Sequence, residues 1–239
     1  MKIGIFGDSF GEEHKKNPSM SWWEYVSQYH SVTNFSVGGS DLYYSIKQLG
    51  KHQFEFDKII WFVTNENRIQ IMLDDIFDDK IHRFITTTEH AATYLEYYSK
   101  SNNVNSKFAI DALTSAMSYF NYICDIDKNS YIARLMIQDV IQANKNKILA
   151  IPCFESACNI LNLQTSLSEI AYQETIAMGK DLSITLTGDT TDIRNNHITS
   201  ENNKILGEKI LDWINGGTFG LNEKDFVIPS IEENKKYFI

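Results

Sequence analysis

Four short stretches of this chain carry side chains that together could perform acyl transfer. The first is "IFGDSFGEE", residues 5–13, where an apolar run breaks at Gly7 and presents Asp8 and Ser9. A serine hydroxyl is a weak nucleophile until a base takes its proton and nearby donors hold the oxyanion that its attack creates. Gly-Asp-Ser alone is equally an ordinary turn composition. The second stretch, "NFSVGGSD" at 34–41, offers glycines where a backbone N–H can approach a substrate oxygen closely. The third, "VTNEN" at 63–67, puts the Asn65 amide after another apolar run. The fourth, "DTTDIRNNHITSENN" at 189–203, sets His197 just ahead of a capped helix. A nucleophile, two donors and a base thus each follow a separate core segment.

Bringing such residues together requires elements whose ends converge. Lys2–Phe6 is a β-rich run closed by Gly7, and "SMSWWEYVSQYH" has helical character with Ser19 or Ser21 as N-cap. Val32–Val37 is a second strand candidate, followed by a helix to about Leu49 that Ser40 and Asp41 can cap. "DKIIWFVT", 57–64, is the continuous apolar run of a strand buried on both faces. "NSYIARLMIQDVIQANK" has helical spacing, "KILAIPCF" is a further strand ended by Pro152, and "TSENNKILGEKILDWI" is an amphipathic helix capped by Thr199 or Ser200. The alternation predicts an α/β fold, a parallel sheet flanked by helices in three layers, with ligand sites at the carboxyl ends of the strands. Residues 68–128 interrupt it with a helical period and are expected to form an inserted helical subdomain or lid. The expected organisation is one domain over 1–215 containing that insertion, then a C-terminal tail at 216–239.

The four stretches, in this order, resemble the blocks of the SGNH hydrolases, the GDSL-type esterase superfamily. "IFGDSF" resembles the first block, which makes Ser9 the nucleophile. Asn34 followed five residues later by Gly39 fits the second, which makes Gly39 rather than Gly38 the oxyanion glycine. The third block is usually Gly-x-Asn-Asp; here Val63-Thr64-Asn65-Glu66 keeps only the asparagine. The last is usually Asp-x-x-His, but Arg194 stands three residues before His197 and the nearest preceding carboxylate is Asp192. Asp192 can orient the imidazole as a triad acid, or it can cap a loop and leave a Ser-His dyad. The "DxRxNH" form is also similar to SGNH-like proteins encoded by tailed phages. The resemblance covers 1–67 and about 130–215 and does not extend to the insertion or the tail.

It implies a serine hydrolase of carboxylic esters. Ser9 and His197, with Asp192, would be catalytic; the N–H groups of Ser9 and Gly39 and the Asn65 side chain would form the oxyanion hole. Small acyl groups on carbohydrates are a common substrate class of the family, so O-acetyl groups on a glycan are the expected substrate. No cofactor or metal is implied. The departures at Val63, Glu66 and Arg194 leave a second reading, a binding or structural protein on a catalytically decayed scaffold of this type.

Composition narrows the alternatives. With 239 residues, 43% of them hydrophobic, the chain can bury one substantial core. A formal net charge of −9 and the lack of a basic patch disfavour nucleic-acid binding. No run is long enough for a membrane helix and "MKIGIF" is no signal peptide, so a cytoplasmic location is expected. Three cysteines without metal-ligand spacing read as reduced thiols, with Cys153 in the core. The histidines other than His197 have no metal spacing, and "LDDIFDDK" lacks a calcium loop's glycine turn. A protein partner would be met by the insertion or the tail.

Overall fold

The structure, a computed structural model, describes residues 1–12, 21–71, 83–85, 92, 96, 99–100, 106–177 and 198–228. Its centre is a four-stranded, all-parallel sheet of β1 (Lys2–Phe6), β2 (Ser31–Asn34), β3 (Lys58–Val63) and β6 (Ile148–Pro152), in the order β2-β1-β3-β6. Both faces are covered, which explains why β3 reads as an unbroken apolar run. Ile60 and Phe62 face one core cluster, while Ile59, Trp61 and Val63 face the other.

Helices supply the two outer layers. Trp22 and Val26 of α1 (Trp22–Ser27), Ile170 of α6 (Leu167–Ala177) and Leu206 and Ile210 of α7 (Ser200–Ile214) share the first cluster with Ile3, Ile5 and Ile151. Leu42 and Leu49 of α2 (Leu42–His52), Ala133 and Ile137 of α4 (Ile126–Ala143) and Ala157 of α5 (Glu155–Leu161) share the second with Phe6 and Trp61. The α/β class and the parallel sheet flanked by helices are as the sequence predicts.

The element ends differ in instructive ways. Ser21 occupies the N-cap of α1 without a side-chain capping bond, whereas Asp41 caps α2 by accepting from Tyr44 N at 2.7 Å. Ser40 is committed elsewhere: its Oγ donates to Gly7 O at 2.9 Å. β2 is shorter than expected, ending at Asn34, although Phe35 N and Val37 N still donate to Ile5 O and Gly7 O beyond it.

The helical period expected from residue 68 fails at its start. Ile69–Ile71 forms β4 and pairs antiparallel with β5 (Arg83–Ile85), a two-stranded ribbon. Short alternations of β-branched residues fit either period, and pairing settles the contest. Most of "TTEHAATYLEYYSK" lies outside the described residues, and helix α3 (Ser106–Tyr122) covers much of the last expected helical stretch. Of the tail, Leu221 and Phe226 join the first core cluster, and Val227 exchanges two hydrogen bonds with the Asn202 side chain. No helix among the described residues is long and apolar enough to cross a membrane.

Candidate active site

The carboxyl ends of β1, β2 and β3 meet because backbone and side chains tie their loops together. Gly7, at the end of β1, has φ +141°, and a Cβ there would stand 2.5 Å from Phe62 Cβ and 2.6 Å from Phe62 O. Only glycine lets the chain turn this tightly against β3. Its carbonyl accepts from both Val37 N (3.1 Å) and Ser40 Oγ (2.9 Å), which binds the first loop to the second. Asn34 adds a second tie: Nδ2 donates to Gly11 O at 2.7 Å while Oδ1 accepts from Ser36 N.

Asp8 links three strand ends. Its side chain is fully buried and surrounded by donors. Oδ2 accepts from Thr64 Oγ1 (2.8 Å) and Arg68 Nη1 (3.2 Å), both just beyond β3. Oδ1 accepts from Phe10 N (3.1 Å) and from Cys153 Sγ (3.3 Å), just beyond β6. Arg68 Nη1 also donates to Ser40 O at 3.0 Å, and its guanidinium lies 4.7 Å from the centre of the Phe154 ring. A buried carboxylate survives only with such partners. In sequence Asp8 reads as a turn former and Arg68 does not stand out. An arginine three residues beyond a candidate oxyanion asparagine was the available signal.

Around this anchor the described site residues sit in three neighbouring loops. Ser9 is partly exposed, one residue past the buried Asp8. The amides that follow it are consumed internally: Phe10 N on Asp8 Oδ1, and Gly11 N and Glu12 N on Asp8 O. Gly39 has φ +75°, a left-handed conformation that favours glycine, and the next amide, Ser40 N, donates to Val37 O. Among the described residues, Ser9 N and Gly39 N have no acceptor. Asn65 follows β3 by two residues. Its Oδ1 accepts from Asn67 N at 2.7 Å, an Asx turn that fixes the amide plane and leaves Nδ2 without an acceptor among the described residues.

His197 and Asp192 lie outside the described residues, as do Asp189 and Arg194. Ile198, next in the chain after His197, is 2% exposed and belongs to the same core cluster as Phe10, the neighbour of Ser9. Thr199 caps α7, its hydroxyl accepting from Asn202 N at 3.4 Å. The buried Glu174 of α6 then secures the turn, accepting from Thr199 N (3.1 Å), Thr199 Oγ1 (2.5 Å) and Asn202 Nδ2 (2.5 Å). A carboxylate at a helix N-terminus is favourably placed. Helix α6 thus anchors the segment that follows His197.

The thiols behave as core groups. Burial, with the Asp8 carboxylate beside it, pushes the Cys153 thiol well above the ordinary range. Burial, aided by the charges of Glu169 and Glu155, raises Cys158 to about 11. Cys124 is only half-buried. A disulfide reagent at neutral pH is therefore expected to titrate one thiol, Cys124, in the folded protein and all three in denaturant. Native-state reaction of Cys153, checked by mass spectrometry of the adduct, would contradict the packing described here.

No protein-family model and no curated protein matches the sequence. Among solved structures, a protein assigned to the G-D-S-L lipolytic family from Desulfitobacterium hafniense superposes with TM-score 0.31 at 15% identity, covering 87% of this chain and 95% of its own. An acetyl xylan esterase superposes with TM-score 0.32 at 11% identity, over 90% and 100% of the two chains. The fructose-binding periplasmic domain of a hybrid two-component system gives 0.28 at 14% identity, over 93% and 89%. These superpositions are loose, so any reading of the site rests on this chain's own residues.

Proposed function

We propose that the chain is a serine esterase acting on carboxylic esters, with small acyl groups such as O-acetyl on a carbohydrate as its substrate. The observation that carries this reading is the arrangement after β1, β2 and β3. A partly exposed serine and two amides without acceptors among the described residues stand in loops cross-tied by Gly7 and Asp8, and a fixed asparagine amide follows the third strand.

In the proposed reaction Ser9 Oγ attacks the acyl carbon and His197 accepts its proton. Ser9 N, Gly39 N and Asn65 Nδ2 receive the negative charge that develops on the carbonyl oxygen. Collapse expels the alcohol, protonated by His197, and leaves an acyl group on Ser9. Water, deprotonated by His197, then releases the acid. Asp192 would hold the imidazole in the required tautomer. Donors held in place before substrate arrives would need no reorganisation as charge develops.

Labelling with a fluorophosphonate tests this directly. The wild-type protein is expected to be phosphonylated, Ser9→Ala not at all, and His197→Ala much more slowly. Absence of labelling in the wild type, under conditions that label an established serine esterase, would replace this reading with that of a binding protein on a similar scaffold.

A further inference from the structure

Helix α4 carries apolar side chains on two faces, and the fold buries only one of them. Ala133 and Ile137 pack in the second core cluster against the sheet. Tyr131, Ile132 and Leu135 are exposed, and the end of α3 and the turn into α4 add the exposed Tyr122, Ile123 and Ile126. Six of the thirteen exposed large hydrophobic side chains among the described residues thus fall between Tyr122 and Leu135.

Their exposure runs from 43% at Ile132 to 85% at Tyr122. At roughly 200 Å² for a fully exposed side chain of this size, the six present on the order of 700 Å². The largest apolar patch of a monomer is about 300–600 Å², whereas a stable complex buries about 800 Å² on each partner. The patch therefore exceeds what a monomer ordinarily leaves in water and approaches what a second molecule needs.

The pattern along α4 identifies that molecule. Lys128, Ile132, Leu135 and Asp139 stand four, three and four residues apart, which places them in one stripe, and all four are exposed. That spacing reads the same in both directions. Two copies of α4 laid antiparallel about a twofold axis set Ile132 of each against Leu135 of the other, and Lys128 of each against Asp139 of the other. A parallel pairing would oppose lysine to lysine and aspartate to aspartate, at a cost. A membrane surface fits less well. Helices that lie on membranes border their apolar face with Lys and Arg, but Asp125, Asp127 and Asp139 are exposed here alongside Lys128 and Arg134.

We propose that this face of α4 joins two copies of the chain in an antiparallel, twofold dimer. The Lys128–Asp139 pair, made twice, sets the register, and the apolar stripe between supplies the affinity. The interface does not depend on Ser9 or on the proposed esterase chemistry.

Analytical ultracentrifugation of the purified chain provides the test. The wild type is expected to sediment as a dimer of two 27.5 kDa chains, with a Kd of about 1 μM or tighter. Leu135→Glu should weaken association at least about a hundredfold, because each copy would press a charge against Ile132 of the other. Its helix content by circular dichroism should be unchanged, since Leu135 belongs to neither core cluster. Lys128→Asp and Asp139→Lys should each weaken the dimer about tenfold, and the variant carrying both should return to within about threefold of wild type. Such a restoration requires the two positions to face each other across the interface. A wild type that stays monomeric at about 100 μM overturns the proposal, whether another segment of the same chain or a different partner then covers the face. So does a dimer that Leu135→Glu leaves intact, or a double charge variant whose loss equals the two single losses combined.

Discussion

An Arg68→Met variant is expected to lose about 3–5 kcal/mol of folding stability, measured as the extrapolated free energy of urea unfolding. The reason is what remains behind. Asp8 is fully buried, the Arg68 side chain is itself only 10% exposed, and their contact is 3.2 Å. Methionine matches much of the apolar volume of the arginine but returns no charge and no donor. Among the described residues Asp8 then keeps only Thr64, Phe10 N and the weak thiol donor of Cys153, and Ser40 O loses its guanidinium partner. Breaking a buried pair from one side is far costlier than the net worth of the pair. Arg68→Lys should lose less, about 1–2 kcal/mol, because an ammonium restores charge but not the planar contact with Phe154. A loss below about 1 kcal/mol for Arg68→Met would mean that water reaches Asp8, and the carboxylate would not be the tie between strand ends described above.

That tie also marks the boundary of what could be read from residue types alone. β1, β3 and β6 were legible because a strand covered on both faces must be apolar throughout, and runs such as "KIIWFV" have no other economical explanation. Likewise the cap at Thr199 and the Asp41 start of α2 follow from local chemistry that needs no tertiary information. The β4–β5 ribbon was not legible. Its strands have three residues each, too few for one period to outscore another, and their pairing is a contact across the sequence. Helices α5 and α6 were missed for related reasons: α5 has only seven residues, and the burial of α6 comes from neighbours such as Ile151 and Ile210 rather than from a sustained stripe.

The candidate site divides the same way. Ser9, Gly39 and Asn65 could be singled out because each follows an apolar segment, and the strand order β2-β1-β3 sets their three loops side by side. The role of Asp8 could not be inferred, since its partners lie 56, 60 and 145 residues away in the chain. Glu66 is a departure from the resembled motif when seen in sequence; in space its carboxylate accepts from Ser130 Oγ at 2.8 Å, 64 residues away in the chain.

Asn65→Asp offers the sharpest test of the oxyanion arrangement. In the wild type Asn65 has two separable duties. Oδ1 accepts from Asn67 N and builds the turn, and Nδ2 is the candidate donor to the developing oxyanion. Alanine removes both, so a loss of activity in Asn65→Ala would mix loop distortion with chemistry. Aspartate keeps an oxygen for Asn67 N and matches the shape, but replaces the donor with an acceptor bearing negative charge. Turnover of an aryl acetate by Asn65→Asp is expected to fall by at least about 10²–10³-fold, the usual effect of deleting one oxyanion donor, with charge repulsion adding to the loss. The unfolding free energy should stay within about 0.5 kcal/mol of wild type, because the turn is retained. KM should change little, since the lost interaction is made mainly in the transition state. Should Asn65→Asp keep wild-type turnover while Ser9→Ala abolishes it, the serine would be confirmed as nucleophile and Asn65 removed from the oxyanion hole. The remaining stabilisation would then have to come from the amides of Ser9 and Gly39, and a peptide-plane change at Gly39, through Gly39→Ala at its φ of +75°, becomes the variant that must lose activity.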